Sequence, residues 1–162
     1  MRNFGNIIKT LQNIMRKDPG VSGDAQRIEQ LGWMISLKIL DDKDQEIELL
    51  NDKYVSVIPK DLQWRNWAAD DEGMTGDDLK KFIDGELIPR LKDLDVSTGN
   101  KRALIVREIF DGTNNYMKNG TILRQVINEP LQILRYYRHI FIIKKFYFLI
   151  FIIQNFKANH PS

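Results

Sequence analysis

The sequence predicts an all-α fold: a compact bundle of about five or six helices with an irregular, Trp-containing segment and an apolar C-terminal tail. Apolar residues recur at three- and four-residue steps in several separate stretches, which is the period of a helix with one buried face. Gly, Pro and Asn fall between these stretches, where turns are expected. Residues 54–58 are the only strand candidate. With 162 residues, the chain is long enough for one domain with its own core.

The first two helices are the most regular in their pattern. Residues 3–17 carry apolar side chains at helical spacing, and Asp18-Pro19-Gly20 ends this helix. The second helix covers residues 25–42 and extends as far as Leu50, with Asp24 as its N-cap. Its predicted buried face consists of Ile28, Leu31, Ile35 and Ile39, widened by Trp33, Met34, Leu37 and Leu40. A helix that is apolar over so much of its surface is expected to be central.

The middle of the chain is less regular. Residues 54–76 have no long period, and we expect one short helical turn at residues 64–69. Thr75 and Asp78 resemble a capping box that opens a helix whose buried positions are Leu79, Phe82, Ile83, Leu87 and Leu91. Pro89 lies inside this pattern and predicts a kink or break, because its ring would press on the carbonyl of Gly85. Residues 100–111 and 121–129 supply two more short helices.

The composition excludes several kinds of catalysis. There is no Cys, and the only two His residues, His139 and His160, lie in the tail, so the main body has neither a thiolate nor a Ser-His pair. No Gly-rich phosphate loop is present. The acidic run at residues 70–78 fails as a calcium loop, because Met74 stands where a ligand is required. We therefore expect no catalytic, cofactor-binding or metal-binding residue in this chain.

The charges are divided unevenly along the chain. Residues 1–130 contain 19 Lys and Arg against 22 Asp and Glu, whereas the tail adds five basic residues and no acid. The candidates for contact with DNA phosphates are therefore local groups, with a solvated helix surface as the alternative: Lys101, Arg102 and Arg107 on one predicted helix, and Lys60 and Arg65 as a second pair. The aromatic rings of Trp64 and Trp67 are either core residues or candidates for a subunit interface.

Four segments in the same order resemble the N-terminal helical domain of the modification subunit of type I restriction-modification systems. They are GDAQRIEQLGWMISLKILDD, IPKDLQWRNWA, MTGDDLKKFIDGELIPRLKDL and REIFDGTNNYMKNGTILRQVINE. The resemblance covers residues 1–129, and its most telling parts are the Trp-Arg-Asn-Trp segment and the Thr-Gly-Asp-Asp-Leu helix start.

The resemblance implies an adenine-specific DNA methyltransferase subunit. In that family the N-terminal domain helps close the complex around DNA and touches neighbouring subunits. The partners it implies are a specificity subunit, a second modification subunit, a restriction subunit and DNA. S-adenosylmethionine and the extruded adenine are bound by a following domain with a Gly-rich loop and an Asn-Pro-Pro-Phe/Tyr motif. Neither motif occurs here, so this chain is expected to be inactive alone; the alternative function is a protein-interaction module that makes no DNA contact.

Residues 130–162 depart from the family pattern. They lack acid and Gly and are rich in Ile, Phe, Tyr, Lys and Asn, so we expect an aberrant tail produced by a frameshift, with a weak tendency to form a helix. Lys144 and Lys145 leave only residues 146–153 uninterrupted, and eight residues span about 12 Å as a helix. A membrane core is roughly 30 Å thick. We therefore expect a cytoplasmic protein whose tail does not span a membrane, and we rank peripheral attachment of the basic, aromatic tail to an anionic membrane surface as the last alternative.

Overall fold

The computed structural model describes residues 4–128, apart from the side chains of residues 4, 5, 7 and 8. Its elements are α1 (Phe4–Met15), α2 (Asp24–Leu50), a 3₁₀ turn (Lys60–Leu62), α3 (Trp64–Trp67), α4 (Gly76–Phe82), a π turn (Ile83–Leu87), α5 (Ile88–Lys92), α6 (Lys101–Phe110) and α7 (Gly120–Asn128). No strand forms within this range, and residues 54–58 have no regular secondary structure. The predicted all-α fold is confirmed, whereas the tail lies outside the described residues.

The start of α2 differs from the prediction. Gly23 is the N-cap, and no side chain caps the helix. Asp24 is instead the first helical residue, and its carboxylate pairs with the Arg27 guanidinium one turn later. This hydrogen bond holds the pKa of Asp24 below its usual value. The cap prediction was wrong because Asp24 is already helical, and there it meets Arg27 and the positive end of the helix dipole.

The buried face of α2 is rotated away from the predicted one. Leu31, Met34 and Leu37 are at most 6% exposed, whereas Ile28 is 40% exposed. The same face continues into two carboxylates, Asp41 and Asp44, which are 1% and 0% exposed. The prediction placed the buried face along the Ile and Leu residues at helical spacing. In the structure, the buried face is apolar in the first half of the helix and acidic in the second half.

The α4 to α5 region runs through Pro89 without a break. The N–H of Ile88 bonds to the carbonyl of Ile83, five residues earlier, which makes a π turn just before the proline. Pro89 then occupies the first turn of α5, a position where proline is tolerated. The predicted irregularity is present as this π turn. Thr75 is the N-cap as expected, but its side chain makes no capping hydrogen bond.

Helix α7 packs directly against α4 and α1. At the α4 contact Gly120 meets the backbone of Gly76, and a Cβ on Gly120 would lie 1.7 Å from the Gly76 carbonyl oxygen. Gly76 itself has φ of +60°, a conformation that favours glycine. The two glycines therefore set the distance between the helices. The core that α7 helps to close includes Leu11, Met15, Leu79, Leu87, Phe110, Leu123 and Ile127.

A buried carboxylate fixes the loop before α7. Asp18 is 3% exposed, and its two oxygens accept hydrogen bonds from the backbone N–H groups of Lys118 and Asn119, each at 2.9 Å. The Asn119 side chain then caps α7 by accepting from the N–H groups of Thr121 and Ile122. The turn after α1 and the start of α7 are thereby joined across about 100 residues of sequence.

Two buried carboxylates tie α2 to later elements. Asp41 accepts from the backbone N–H and the Nε of Arg65, both at 2.9 Å, and so caps α3 from another helix. The Glu48 carboxylate accepts hydrogen bonds from Nη1 and Nη2 of the same guanidinium, at 2.5 and 2.9 Å. Asp44 accepts from the Arg102 guanidinium at the start of α6.

The pKa shifts of these groups follow from their surroundings. Burial raises the pKa of Asp41, and the Arg65 hydrogen bonds oppose that shift. Arg65 lowers the pKa of Glu48, chiefly through its hydrogen bond. Tyr54 donates to Asp44 at 2.7 Å, and burial together with this bond raises the pKa of Tyr54 to about 12. The phenol of Tyr54 is therefore a permanent donor to Asp44 at neutral pH.

Replacing Gly120 with Ala is expected to cost about 3 kcal/mol of unfolding free energy, because α4 and α7 must separate to admit the methyl group. Urea unfolding followed by circular dichroism measures the loss. Gly85→Ala is the matched control: Gly85 has no atom near its Cβ position, so the added helix propensity should leave stability unchanged or raised by up to about 1 kcal/mol. Equal effects of the two changes would contradict the close contact.

Replacing Glu48 with Gln is expected to cost about 1 kcal/mol at pH 7 through loss of the bidentate pair with Arg65. Because the pKa of Glu48 is lower in the folded chain than in the unfolded chain, the stabilisation by the Glu48–Arg65 pair is fully present above the unfolded pKa. The difference between wild type and variant should therefore hold above about pH 5 and shrink as the pH falls through the folded pKa. Urea titrations at several pH values test this. Glu72→Gln, in an exposed loop, should show no such dependence, and a Glu48 effect that stays constant with pH would contradict it.

Candidate nucleic-acid and subunit interface

The structure separates the five basic candidates into two groups. Arg65 and Arg102 turn inward to the carboxylates of α2, with side chains 25% and 29% exposed. Lys60, Lys101 and Arg107 lie on the surface. The sequence predicted all five as contacts for phosphates. Only the second group presents its charge to solvent.

Arg65 and Arg102 are both held in ion pairs within the fold. Arg65 uses its Nε and both terminal nitrogens on Asp41 and Glu48. Arg102 donates to Asp44, whose side chain is fully buried. Moving either guanidinium onto a phosphate would leave a buried carboxylate without its counter-charge, which costs several kcal/mol. These two arginines therefore belong to the fold.

The three basic residues of α6, Lys101, Arg102 and Arg107, have different surroundings. Lys101 is the first residue of α6, where the Asn100 side chain caps the helix by accepting from the N–H of Arg102 at 2.9 Å. Arg107 leaves α6 on the other side from Arg102 and approaches the Leu94 carbonyl at 3.5 Å. Arg102 is paired with Asp44 of α2, whereas contact of Lys101, Arg102 and Arg107 with phosphates stays a prediction.

Lys60 lies beside a second ion pair. It begins the 3₁₀ turn, and its carbonyl accepts from the Asn66 side chain at 2.6 Å. The next residue, Asp61, pairs with Arg90 of α5, and the hydrogen bond from Arg90 lowers the pKa of Asp61. The Asp61 charge is thus matched within the fold. The Lys60 ammonium remains exposed next to it.

The two candidate interface tryptophans are core residues. Trp64 and Trp67 are 4% and 6% exposed, and their rings meet edge to face with centroids 5.0 Å apart. Trp67 also donates its Nε1–H to the Leu62 carbonyl at 3.1 Å and lies 5.5 Å from the Phe82 ring. Of the two readings, core packing is the one observed. Both rings thus belong to the buried core, where Trp67 packs on Phe82 of α4.

Exposed apolar side chains lie close together in sequence in two other places. Leu104 and Ile105, on α6 between Lys101 and Arg107, are 42% and 39% exposed. Leu49, Leu50 and Val55 are 80%, 89% and 82% exposed, and they flank the turn that ends α2. We call this second region, residues 49–55, the α2 tip. Sequence reasoning passed over both, since a single exposed Leu or Ile is ordinary.

The described part of the chain contains no feature of metal or membrane chemistry. Among residues 4–128, no three His, Cys, Asp or Glu side chains gather as a metal site. None of the helices in that range is both long and apolar enough to cross a bilayer.

The residues that sequence reasoning missed are Asp41 and Asp44. From sequence alone, the run Asp41-Asp42-Lys43-Asp44 is typical of a polar, solvent-facing continuation of the helix. A signal was present: Asp41 and Asp44 follow Leu37 at intervals of four and three residues, which keeps them on its face. Carboxylates on a buried face require cationic partners, and the only way to identify those was the fold itself.

The comparisons with known proteins agree on the family. The family model of the HsdM N-terminal domain matches residues 4–129. The methylase subunit of the type I restriction enzyme EcoEI from Escherichia coli is 50% identical over 128 residues, which are 78% of this chain and 26% of that protein. The chain thus spans about a quarter of the length of this curated relative.

Two solved structures share the fold. One is a modification subunit, described as part of a type I restriction enzyme, from Vibrio vulnificus: TM-score 0.70, 35% identity, 76% of this chain and 29% of that one. The other belongs to a type I restriction-modification system solved to explain complex assembly and conformational transition: TM-score 0.64, 29% identity, 77% of this chain and 25% of that one. With a family match over most of its length, the chain belongs to the HsdM N-terminal domain family of type I modification subunits.

Proposed function

We propose that this chain acts as the non-catalytic N-terminal domain of a type I DNA adenine methyltransferase subunit, contributing contacts to DNA and to neighbouring subunits. The observation that carries the proposal is the family match over residues 4–129, together with 50% identity to the EcoEI methylase subunit. The substrate is double-stranded DNA, and the role of this domain is binding.

The DNA contacts in this proposal come from Lys60, Lys101 and Arg107. All three are exposed, and within residues 4–128 no carboxylate holds them in the way that Asp41 and Asp44 hold Arg65 and Arg102. Lys101 adds its charge to the capped start of α6. A body with 19 basic and 22 acidic residues has no general attraction for DNA, so binding depends on these few contacts.

The chemistry belongs to other parts of the assembly. S-adenosylmethionine and the flipped adenine are held, in this proposal, by the catalytic domain of a complete modification subunit. The partners are a specificity subunit, which selects the DNA target, a second modification subunit and a restriction subunit. The described residues supply positioning surfaces, and this chain alone transfers no methyl group.

One observation favours the second candidate, an interaction module that binds a partner subunit without touching DNA. Leu104 and Ile105 are about two-fifths exposed and lie between Lys101 and Arg107 on α6. An aliphatic pair flanked by charges is typical of a protein interface with a polar rim. On this account the cations of α6 surround a subunit contact and meet no phosphate.

The triple variant Lys60→Ala, Lys101→Ala and Arg107→Ala is expected to weaken binding of the full chain to a short duplex DNA. Each phosphate contact contributes about 0.9 to the slope of log K against log salt, so the slope should fall by about 2 to 3. Fluorescence anisotropy over a range of salt concentrations gives the slope. The control changes three other exposed lysines by the same charge: Lys9→Ala, Lys17→Ala and Lys53→Ala.

Equal effects of the two triple variants would contradict specific phosphate contacts by Lys60, Lys101 and Arg107. DNA binding would then depend only on the overall charge of the chain. If neither variant changes DNA binding, and Leu104→Ser with Ile105→Ser weakens subunit assembly at high and low salt alike, the interaction module is the correct function. Met74→Ser, at a loop residue 38% exposed, is the matched control for that assembly measurement.

A further inference from the structure

One side of α6 carries two aliphatic side chains between two charges of opposite sign. Leu104 and Ile105 are 42% and 39% exposed. Lys101 lies one turn before this pair and Glu108 lies one turn after it, and both charged residues are exposed. Residues separated by three, four and seven positions share one side of a helix. These four side chains therefore form a row along the solvent side of the helix, which we call the α6 row.

The opposite side of α6 fixes the direction in which the row faces. Ala103, Val106 and Phe110 are at most 3% exposed and form the buried side of the helix. With 3.6 residues per turn, these three positions lie about 180° around the helix from the α6 row. The row therefore faces away from the core, and polar or charged substitutions in it leave the core contacts of α6 in place.

The two charges of the α6 row are unmatched in the part of the chain that the structure describes. Neither Lys101 nor Glu108 makes an ion pair with another of residues 4–128. Arg102 of the same helix differs, because it is paired with the buried Asp44. Lys101 and Glu108 are seven residues apart, which is about 10 Å along the helix axis and too far for them to pair with each other.

The α6 row is complementary to itself when two copies of it run antiparallel. A twofold axis midway between Leu104 and Ile105 places Leu104 of one copy opposite Ile105 of the other. The same axis places Lys101 of each copy opposite Glu108 of the other, because both charges are equally far from the axis. Every contact then forms twice, as in any isologous interface. A parallel arrangement would bring like charges together instead.

We propose that the α6 row pairs antiparallel with the α6 row of a second copy of this chain. The pairing rests on the subunit contacts of the proposed function, which include a second modification subunit, and it shares only Lys101 with the DNA contacts. The aliphatic side chains bury little area, so we expect a weak and reversible contact with a Kd of about 0.1 mM. The charge pairs set its direction and register.

Charge reversal tests the pairing on the full chain without DNA. Lys101→Glu makes both ends of the row acidic, and Glu108→Lys makes both ends basic. Each variant alone should self-associate about tenfold more weakly than the wild type, because two opposite-charge contacts become two like-charge contacts. Sedimentation equilibrium at concentrations up to about 1 mM measures the association, which spans the expected Kd.

The two variants should associate with each other, since an antiparallel pair of one with the other restores both opposite-charge contacts. An equimolar mixture of them, and the double variant Lys101→Glu with Glu108→Lys, should both return to within about threefold of the wild-type Kd. The matched controls are Lys17→Glu and Glu72→Lys, which make the same changes of charge at exposed positions outside α6 and should leave the association unaltered.

A chain that stays monomeric at the highest concentration would overturn the proposal. So would single variants that associate as the wild type does, controls that weaken association equally, or a mixture that stays as weak as its components. None of these results involves DNA. The DNA contacts of the proposed function are therefore decided separately, by the salt dependence of duplex binding.

Discussion

The structure depends on two carboxylates that α2 buries one turn apart. Asp41 and Asp44 are 1% and 0% exposed, and each is balanced by an arginine from a later part of the chain. A buried charge without its partner is costly, so α3 must place Arg65 beside Asp41 and α6 must place Arg102 beside Asp44. The second half of α2 would otherwise be a helix with acid on its core face. These pairs fix where α3 and α6 lie against it.

The same constraint decides which basic residues are available for function. The acids of α2 take Arg65 and Arg102, so among the five basic candidates Lys60, Lys101 and Arg107 keep their charges exposed. Exposed aliphatic side chains remain on α6 and at the α2 tip. The two Trp rings complete the packing that Arg65 begins: Trp64 and Trp67 flank it in α3, and Trp67 reaches the Phe82 ring.

Much of the fold could be predicted from local patterns. The helix at residues 4–15, the long helix ending at Leu50 and the helical turn at Trp64 all follow from spacing and turn residues. The failures were at positions where the partner of a charged side chain decides. Asp24 lost its capping role to a pairing with Arg27, and Ile28 lost its burial because the face of α2 is set by Asp41 and Asp44. Likewise, Lys101, Arg102 and Arg107 look equivalent in the sequence, and only the position of α2 separates them.

The most direct test of this account is the coupling between Asp44 and Arg102, measured with a double-mutant cycle of Asp44→Asn and Arg102→Gln by urea unfolding at pH 7. If the pair organises the fold, Arg102→Gln alone should cost about 3 kcal/mol, and the coupling free energy should be about 2 kcal/mol or more. The neighbouring exposed Lys101→Gln should stay within about 0.5 kcal/mol of wild type. Additive single effects, or an Arg102 change as small as that of Lys101, would contradict the account.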